Sequence, residues 1–351
     1  MSKPRVLILF NQPVLPRDHP DYLSEIDVVE TVGEVEKVLP IDRYVVEHFG
    51  YARDPRLLLD KVAARMPDVV FNLFEGEADR SETEIYNAAL LEWAGVPFTG
   101  AGSFGQAIGR DKVRTKYLLR GAGVSNPPFA VVDRPPAEPW PHPWPAIVKP
   151  AYTDASIGIE QRSVVTNQPD LDARVAHVFD RFGGPVLVEQ FIPGRELHVH
   201  LFDDPADGRL VVMPAAEVVF EHPPGGSLWS VYSYEAKWNE SSVEYQSSRL
   251  VGGMTLPSPL RERVEEMCVA AYRLVGLRDY GRVDLRVAAA GEPYVLEVNP
   301  NPHLNSLVLV EGLAAMGREF GEFVRGLVTN ALGRAPKAAS DPGGVTAISR
   351  G

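Results

Sequence analysis

The chain has 351 residues, of which 45% are hydrophobic and 23% charged, enough for two or three domains with a sizeable core. Its net charge is −12 at a pI near 5.2, and no Lys/Arg block exceeds two adjacent residues, which argues against nucleic-acid binding through a basic patch. A single cysteine, Cys268, excludes an intramolecular disulfide; its apolar helical surroundings mark it as a packed core residue.

Residues 5–10 read as a buried strand. Their apolar run, VLILF, is too short for the core of a signal peptide, and no segment approaches a membrane span, so a cytoplasmic enzyme is expected. A loop rich in Pro and Asp follows (NQPVLPRDHPDY), then a helix from near Ser24 or Glu25. Residues 68–74 form a second buried strand. Ser81 and Glu84 have capping-box spacing, opening a helix that runs through Trp93 and ends at Gly95. Strands alternating with helices predict a parallel sheet in an N-terminal α/β domain, residues 1–110. Asp111 caps a helix to Arg120, closed by Gly121-Ala122-Gly123.

The segment 133–146 contains six prolines and cannot be helical. It leads into a strand ending at Lys149. A helix near 170–182 and a strand in 186–192 complete a small central α+β lobe, residues 111–195. Two strands are expected in 196–220. The Gly-Gly pair and many serines of 221–256 predict a mobile loop, able to act as a lid. A helix at about 258–275, a hairpin and a helix near 311–332 finish a C-terminal domain, residues 196–334. The polar tail 335–351 is expected to be disordered, and no internal repeat is present.

Residues 281–300, GRVDLRVAAAGEPYVLEVNP, are the most informative stretch. Folded about Ala290–Gly291, they place Asp284 opposite Glu297 and Arg282 opposite Asn299. Alternation puts all four side chains on one face. Two carboxylates and an amide oxygen at short range suit a hard divalent cation such as Mg²⁺; a solvated acidic pair on an edge hairpin is the competing reading. His198 and His200 also share a strand face, but no Cys or carboxylate cluster completes a transition-metal set.

The D-x(12)-E-x-N spacing of Asp284, Glu297 and Asn299 resembles the metal-binding signature of the ATP-grasp ligases, above all their D-alanine–D-alanine ligase branch. The resemblance extends, in order, through FNLFEG (71–76), VPFTGAG (96–102), RDKVRTKYLLRGAGV (110–124), PAIVKPAYTDASIG (145–158), VLVEQFIPGRELHV (186–199) and VYSYEAKW (231–238). It implies an ATP-grasp fold of mixed α/β and α+β class, with a parallel α/β N-terminal domain, a small central lobe and a C-terminal domain. It also implies ATP-dependent joining of a carboxylate to an amine through an acyl phosphate.

By this resemblance Lys112 and Lys149 hold the α- and β-phosphates, and the loop carrying Ser156 lies over them. Glu189 takes the adenine amino group, backbone groups of Gln190 and Ile192 take the ring edge, and Glu196 holds the ribose. Lys237 closes over the γ-phosphate. Asp284, Glu297 and Asn299 hold two Mg²⁺ ions, for which Mn²⁺ can substitute, and Arg282 stabilises the oxyanion. His303 lies where the second substrate would bind. The implied partners are a small-molecule carboxylate and an amine, with no membrane or nucleic acid, and the resemblance allows a homodimer.

The substrate half departs from the branch. A serine pair is replaced by Ala155-Ser156, a tyrosine by Trp238, and NPNPHLNSLVLVEG replaces the run that shapes the second pocket. The missing hydroxyls predict substrates other than two D-alanines, and Trp238 adds a large apolar surface that suits a bulkier or aromatic partner. The alternatives are an authentic D-alanine–D-alanine ligase, an ester-forming relative using a hydroxyl nucleophile, and a non-catalytic nucleotide-binding protein.

Overall fold

The computed structural model describes residues 2–19, 22–221, 228–304 and 307–335. In the first part of the chain β1 (Arg5–Asn11), α1 (Tyr22–Lys37), β2 (Val45–Tyr51), α2 (Arg56–Arg65) and β3 (Val69–Leu73) form a three-stranded parallel sheet in the order β2-β1-β3. Val6, Leu7, Ile8 and Leu9 are all buried because the sheet is covered on both faces, which explains an unbroken apolar run. Leu58 of α2 packs on one face, with Ala88 and Leu91 from α3 (Thr83–Trp93). The capping box expected at Ser81–Glu84 does not form: Glu82 occupies the cap position without a side-chain bond, and Glu84 pairs with Arg110 instead.

α4 (Ser103–Arg110) and α5 (Lys112–Gly121) lead out of this domain; Asp111 caps α5 by accepting from the Arg114 N–H, as its position predicts. β4 (Phe129–Val132), β5 (Ala146–Pro150), β6 (Val164–Val165), α6 (Gln168–Phe182) and β7 (Val186–Gln190) build the central lobe, an antiparallel sheet ordered β4-β7-β5-β6. Leu171, Val175 and Val178 of α6 pack on its Val148 and Val188.

Three strands, not two, occupy the next stretch: β8 (Gly194–Asp203), β9 (Leu210–Val212) and β10 (Ala215–Phe220). The expected loop at 221–256 holds regular structure: α7 (Tyr234–Trp238), α8 (Val243–Gln246) and β11 (Ser248–Met254), which pairs with β10. Its segment 222–227 lies outside the described residues. α9 (Ser258–Val275), β12 (Tyr280–Ala288) and β13 (Pro293–Asn299) complete a sheet ordered β11-β10-β8-β12-β13, with α9 buried beneath it through Val264, Cys268 and Ala271.

The single helix expected at 311–332 is two, α10 (Leu307–Ala315) and α11 (Phe320–Gly333). Gly317 at φ +70 stops the first, and Glu319 with Glu322 forms a capping box for the second. Phe323, Val324 and Leu327 of α11 join Val28 and Val32 of α1 and Val69 and Phe71 of β3 in one core, so the C-terminal helices cover the N-terminal sheet. The tail from residue 336 lies outside the described residues. Among the described residues, no helix is long and apolar enough to cross a membrane.

Candidate active site

A cleft opens between the central sheet and the β12–β13 hairpin. Lys112, Lys149, Ser156, Glu189, Gln190, Ile192, Glu196, Lys237, Asp284 and Glu297 all line it. Arg282 and Asn299 join it through Asp284, while Trp238 and His303 stand outside its lining. One end is apolar, built on Ile147, Val164, Phe191 and Val231 with Ile159 and Trp229 against them, a surface fit for a flat ring.

The hairpin has the register read from the sequence: Arg282 pairs with Asn299 and Asp284 with Glu297, with a bulge after Asp284. Arg282 donates to both Asp284 oxygens, at 2.7 and 2.9 Å, and Asn299 Nδ2 donates to Asp284 Oδ2 at 3.1 Å. Lys112 Nζ lies 3.3 Å from Glu297 Oε2. Burial alone would raise the Glu297 pKa, but Lys112, Lys237 and Arg282 hold it well below the usual carboxylate range. This oxygen set fits Mg²⁺, which binds through one or two carboxylates plus the phosphates of its substrate. Three cations face two carboxylates here, leaving positive charge to meet a polyphosphate.

Glu189 is 1% exposed, and both its oxygens face ammonium groups: Lys116 Nζ at 2.9 Å and Lys149 Nζ at 3.0 Å. The two groups expected on adenine and phosphate are thus bonded to each other. Gln190 gives its backbone N–H to the Pro128 carbonyl at 2.8 Å, which commits that group within the lobe. Glu196 sits 2.8 Å from Arg286 and 3.5 Å from His198; burial opposes its charge, yet Arg286 and His198 bring its pKa down to about 2.

The loop after β5 places Ala155 and Ser156 at φ +52 and +62, a left-handed pair without glycine that costs of order 1–3 kcal/mol per residue. Two bonds from the following segment hold it. Ser156 Oγ donates to the Tyr232 carbonyl at 2.8 Å, and Trp238 Nε1 donates to the Ala155 carbonyl at 3.2 Å. The departure from the family pattern is therefore partly compensated: the indole reaches the backbone of the residue that lacks a hydroxyl. Ser233 caps α7 by accepting from the Ala236 N–H at 3.1 Å, which aims Lys237 into the cleft over the Tyr232 ring, 5.0 Å from its centroid. Burial and the nearby Arg282 lower the Lys237 pKa.

Outside this lining, toward α1 and α3, carboxylates meet fewer cations. His303 Nδ1 lies 3.2 Å from Asp27 and 4.0 Å from Glu75. Arg110 pairs with Glu84 at 2.5 Å and with Asp154 at 2.8 Å. Burial, then Asp27 and Glu84, push Glu75 up to about 8; burial and Asp154 raise Glu84 to about 7 against the pull of Arg110. His198 and His200 share the cleft face of β8; burial and Arg282 take the His200 pKa well below its ordinary value. Among the described residues, no three His, Cys, Asp or Glu side chains gather as a metal site.

Sequence reasoning missed Lys116, Arg286, Glu75, Glu84 and Asp154. Two of them carried a signal. Lys116 follows Lys112 by four residues on the stripe that buries Thr115 and Leu119, and Arg286 continues the alternation of Arg282 and Asp284.

A family model described as D-ala D-ala ligase C-terminus matches residues 118–329. The D-alanine–D-alanine ligase of Alcanivorax borkumensis is 35% identical over 251 residues, covering 70% of this chain and 72% of that protein. The enzyme of the same name from Geobacter sulfurreducens is 31% identical over 252 residues, 70% of this chain and 71% of that one. A crystal structure of D-alanine–D-alanine ligase from Bacillus anthracis complexed with ATP superposes with a TM-score of 0.71 at 21% identity, covering 94% of this chain and 97% of that chain.

Proposed function

This chain belongs to the D-alanine–D-alanine ligase family of ATP-grasp enzymes, and on that premise we propose that its cleft joins a small carboxylic acid to an amine through an acyl phosphate. It is an ATP-dependent, ADP-forming ligase making carbon–nitrogen bonds. The observation that carries the reading is the convergence of Lys112, Lys149, Lys237 and Arg282 on the cleft that holds Asp284 and Glu297. A carboxylate is a poor electrophile; its oxygen displaces ADP from the γ-phosphorus, and the amine then displaces phosphate and loses a proton. Negative charge is dense throughout, so fixed cations aimed at the transferring oxygens lower the barrier.

Lys112 and Lys149 hold phosphate oxygens, Lys237 meets the transferring group, and Arg282 faces the oxyanion of the tetrahedral stage. Asp284, Glu297 and Asn299 would hold Mg²⁺, which neutralises the β- and γ-phosphate charge. The apolar end takes the base, with Glu189, Gln190 and Ile192 along its edge and Glu196 at the ribose. The enzyme acts in the cytoplasm on free small molecules.

The substrates on this reading are not two D-alanines, because Ala155 offers no hydroxyl and Trp238 replaces a phenol with an indole. A second reading, with D-alanine as both substrates, is favoured by the Trp238–Ala155 bond, which keeps the two loops tied. Phosphate release with D-alanine, set against amino acids, dipeptides and hydroxy acids, separates them. Highest turnover with D-alanine and D-alanyl-D-alanine as product would establish the second. Ester products from hydroxy acids alone would replace the amine by a hydroxyl.

A further inference from the structure

Lys116 is 1% exposed, deeper than any other lysine with a described position at the cleft. It stands on α5 one turn beyond Lys112, on the stripe that carries Leu119 into the core. A lysine is almost never fully buried unless paired, and its pair is Glu189 Oε1 at 2.9 Å. Neither Lys116 Nζ nor Glu189 Oε1 has a hydrogen-bond partner among the described residues, so the pair is held by charge and proximity alone. The other oxygen, Oε2, holds Lys149, whose side chain is 14% exposed at the cleft wall.

Two ammonium groups on one carboxylate leave a surplus positive charge, and only one of the two can be reached from the cleft. A polyphosphate can draw Lys149 away and cannot draw Lys116. When Lys149 leaves, a neutral pair remains. Without Lys116, the same movement would strand a bare carboxylate in a buried site, which is strongly unfavourable. An ionised carboxylate only accepts hydrogen bonds. The freed Oε2 therefore accepts from an exocyclic amine, as adenine presents, and repels the carbonyl that guanine presents at the same ring position. A protonated carboxyl could serve either base.

We propose that Lys116 is a positioning and specificity-determining residue for nucleotide recognition: it keeps Glu189 a fixed acceptor while Lys149 transfers from Glu189 to phosphate. The inference rests on the ATP-binding reading of the cleft and deepens it.

Calorimetric titration of ATP and GTP, each with Mg²⁺, into the wild type, Lys116→Met, Glu189→Gln and the double variant tests it. We expect the wild type to bind ATP at least about tenfold tighter than GTP, and Lys116→Met to lose about tenfold in ATP affinity with the ATP:GTP ratio falling toward one. The double variant, which removes both buried charges, should regain the wild-type melting temperature without regaining the ratio; Lys116→Gln, which removes the charge and keeps Glu189, carries the test with the same expected loss if Lys116→Met does not fold. Wild-type ATP affinity and ratio in Lys116→Met, or a restored ratio in the double variant, would overturn the inference and reduce Lys116 to a structural role. A wild type that binds no ATP would overturn the ligase reading and this inference together.

Discussion

In the cleft, Glu189, Glu196 and Glu297 each have a lysine or arginine nitrogen within 3.3 Å, and all three are held below the ordinary carboxylate pKa despite burial. Beside it, toward α1 and α3, Glu75 has only His303, 4.0 Å away, as its ion-pair partner among the described residues, and burial, then Asp27 and Glu84, push its pKa up. The same residue type is fixed as an anion in the cleft and left short of positive charge outside its lining, on the side of α1 and α3. Cations that saturate protein carboxylates in the free enzyme are in position to move to a polyphosphate. Carboxylates lacking cations would suit the ammonium group of an amine substrate on the proposed reading. The two halves of a carboxylate–amine ligation have opposite electrostatic requirements, and the cleft and the cluster beside it differ in the same sense.

The largest effect should come from the hairpin. Asp284→Asn or Glu297→Gln is expected to lower turnover by about 10³-fold or more with the fold retained, because charge at the transferring group goes unneutralised. ADP release under saturating Mg²⁺, beside circular dichroism, measures this; full ADP release would sink the metal assignment and with it the nucleotide side of the contrast. Next is Lys149→Ala, which removes a charge-assisted contact of roughly 1.5–3 kcal/mol. ATP with Mg²⁺ should raise the wild-type melting temperature, since a ligand of the folded state stabilises it, and raise that of the variant less. An equal shift in both proteins would show that Lys149 stays on Glu189 throughout.

A smaller change sharpens the contrast from the other side. Trp238→Phe removes the indole N–H that Ala155 accepts and leaves the phosphate lysines in place. One neutral hydrogen bond contributes about 1 kcal/mol, so kcat/KM for the carboxylate substrate should fall about fivefold while the KM for ATP holds. A matching loss in ATP binding would mean that the two regions are mechanically one.

Much of this was legible because strand alternation is strict. Arg282, Asp284, Glu297 and Asn299 had to share a face once the hairpin was recognised, and the bulge follows Asp284 without disturbing them. The Asp111 cap was legible because its bond is local. The capping box at Ser81 failed because Glu84 has a stronger partner, Arg110, that sequence distance hides. The loop reading of 221–256 failed on glycine. Gly252 sits where β11 closely approaches α10: its N–H donates to Glu311 at 2.9 Å, and a Cβ would come within 2.9 Å of the Glu311 Cβ. The partners of Lys116 and Glu75, Glu189 and His303, are far away in sequence, and no local pattern announces them.

The smallest expected effect is the most direct reading of the acidic cluster. The Glu75 pKa is raised from 4.5 to about 8, so the folded protein holds a proton that the unfolded chain releases across that window. Proton binding that favours the folded state makes stability fall as pH rises from about 4.5 to about 8 and level off above. Glu75→Gln cannot ionise, so it removes this part of the fall: the variant should match the wild type near pH 4.5 and exceed it at pH 8.5. The Glu75 side chain is 38% exposed, and water screens the repulsion, so the gain in melting temperature should not exceed about 2 °C. Thermal melts of both proteins across that range decide the point. A difference that does not change with pH would mean that Glu75 ionises normally, and the acidic cluster would then be as well neutralised as the cleft.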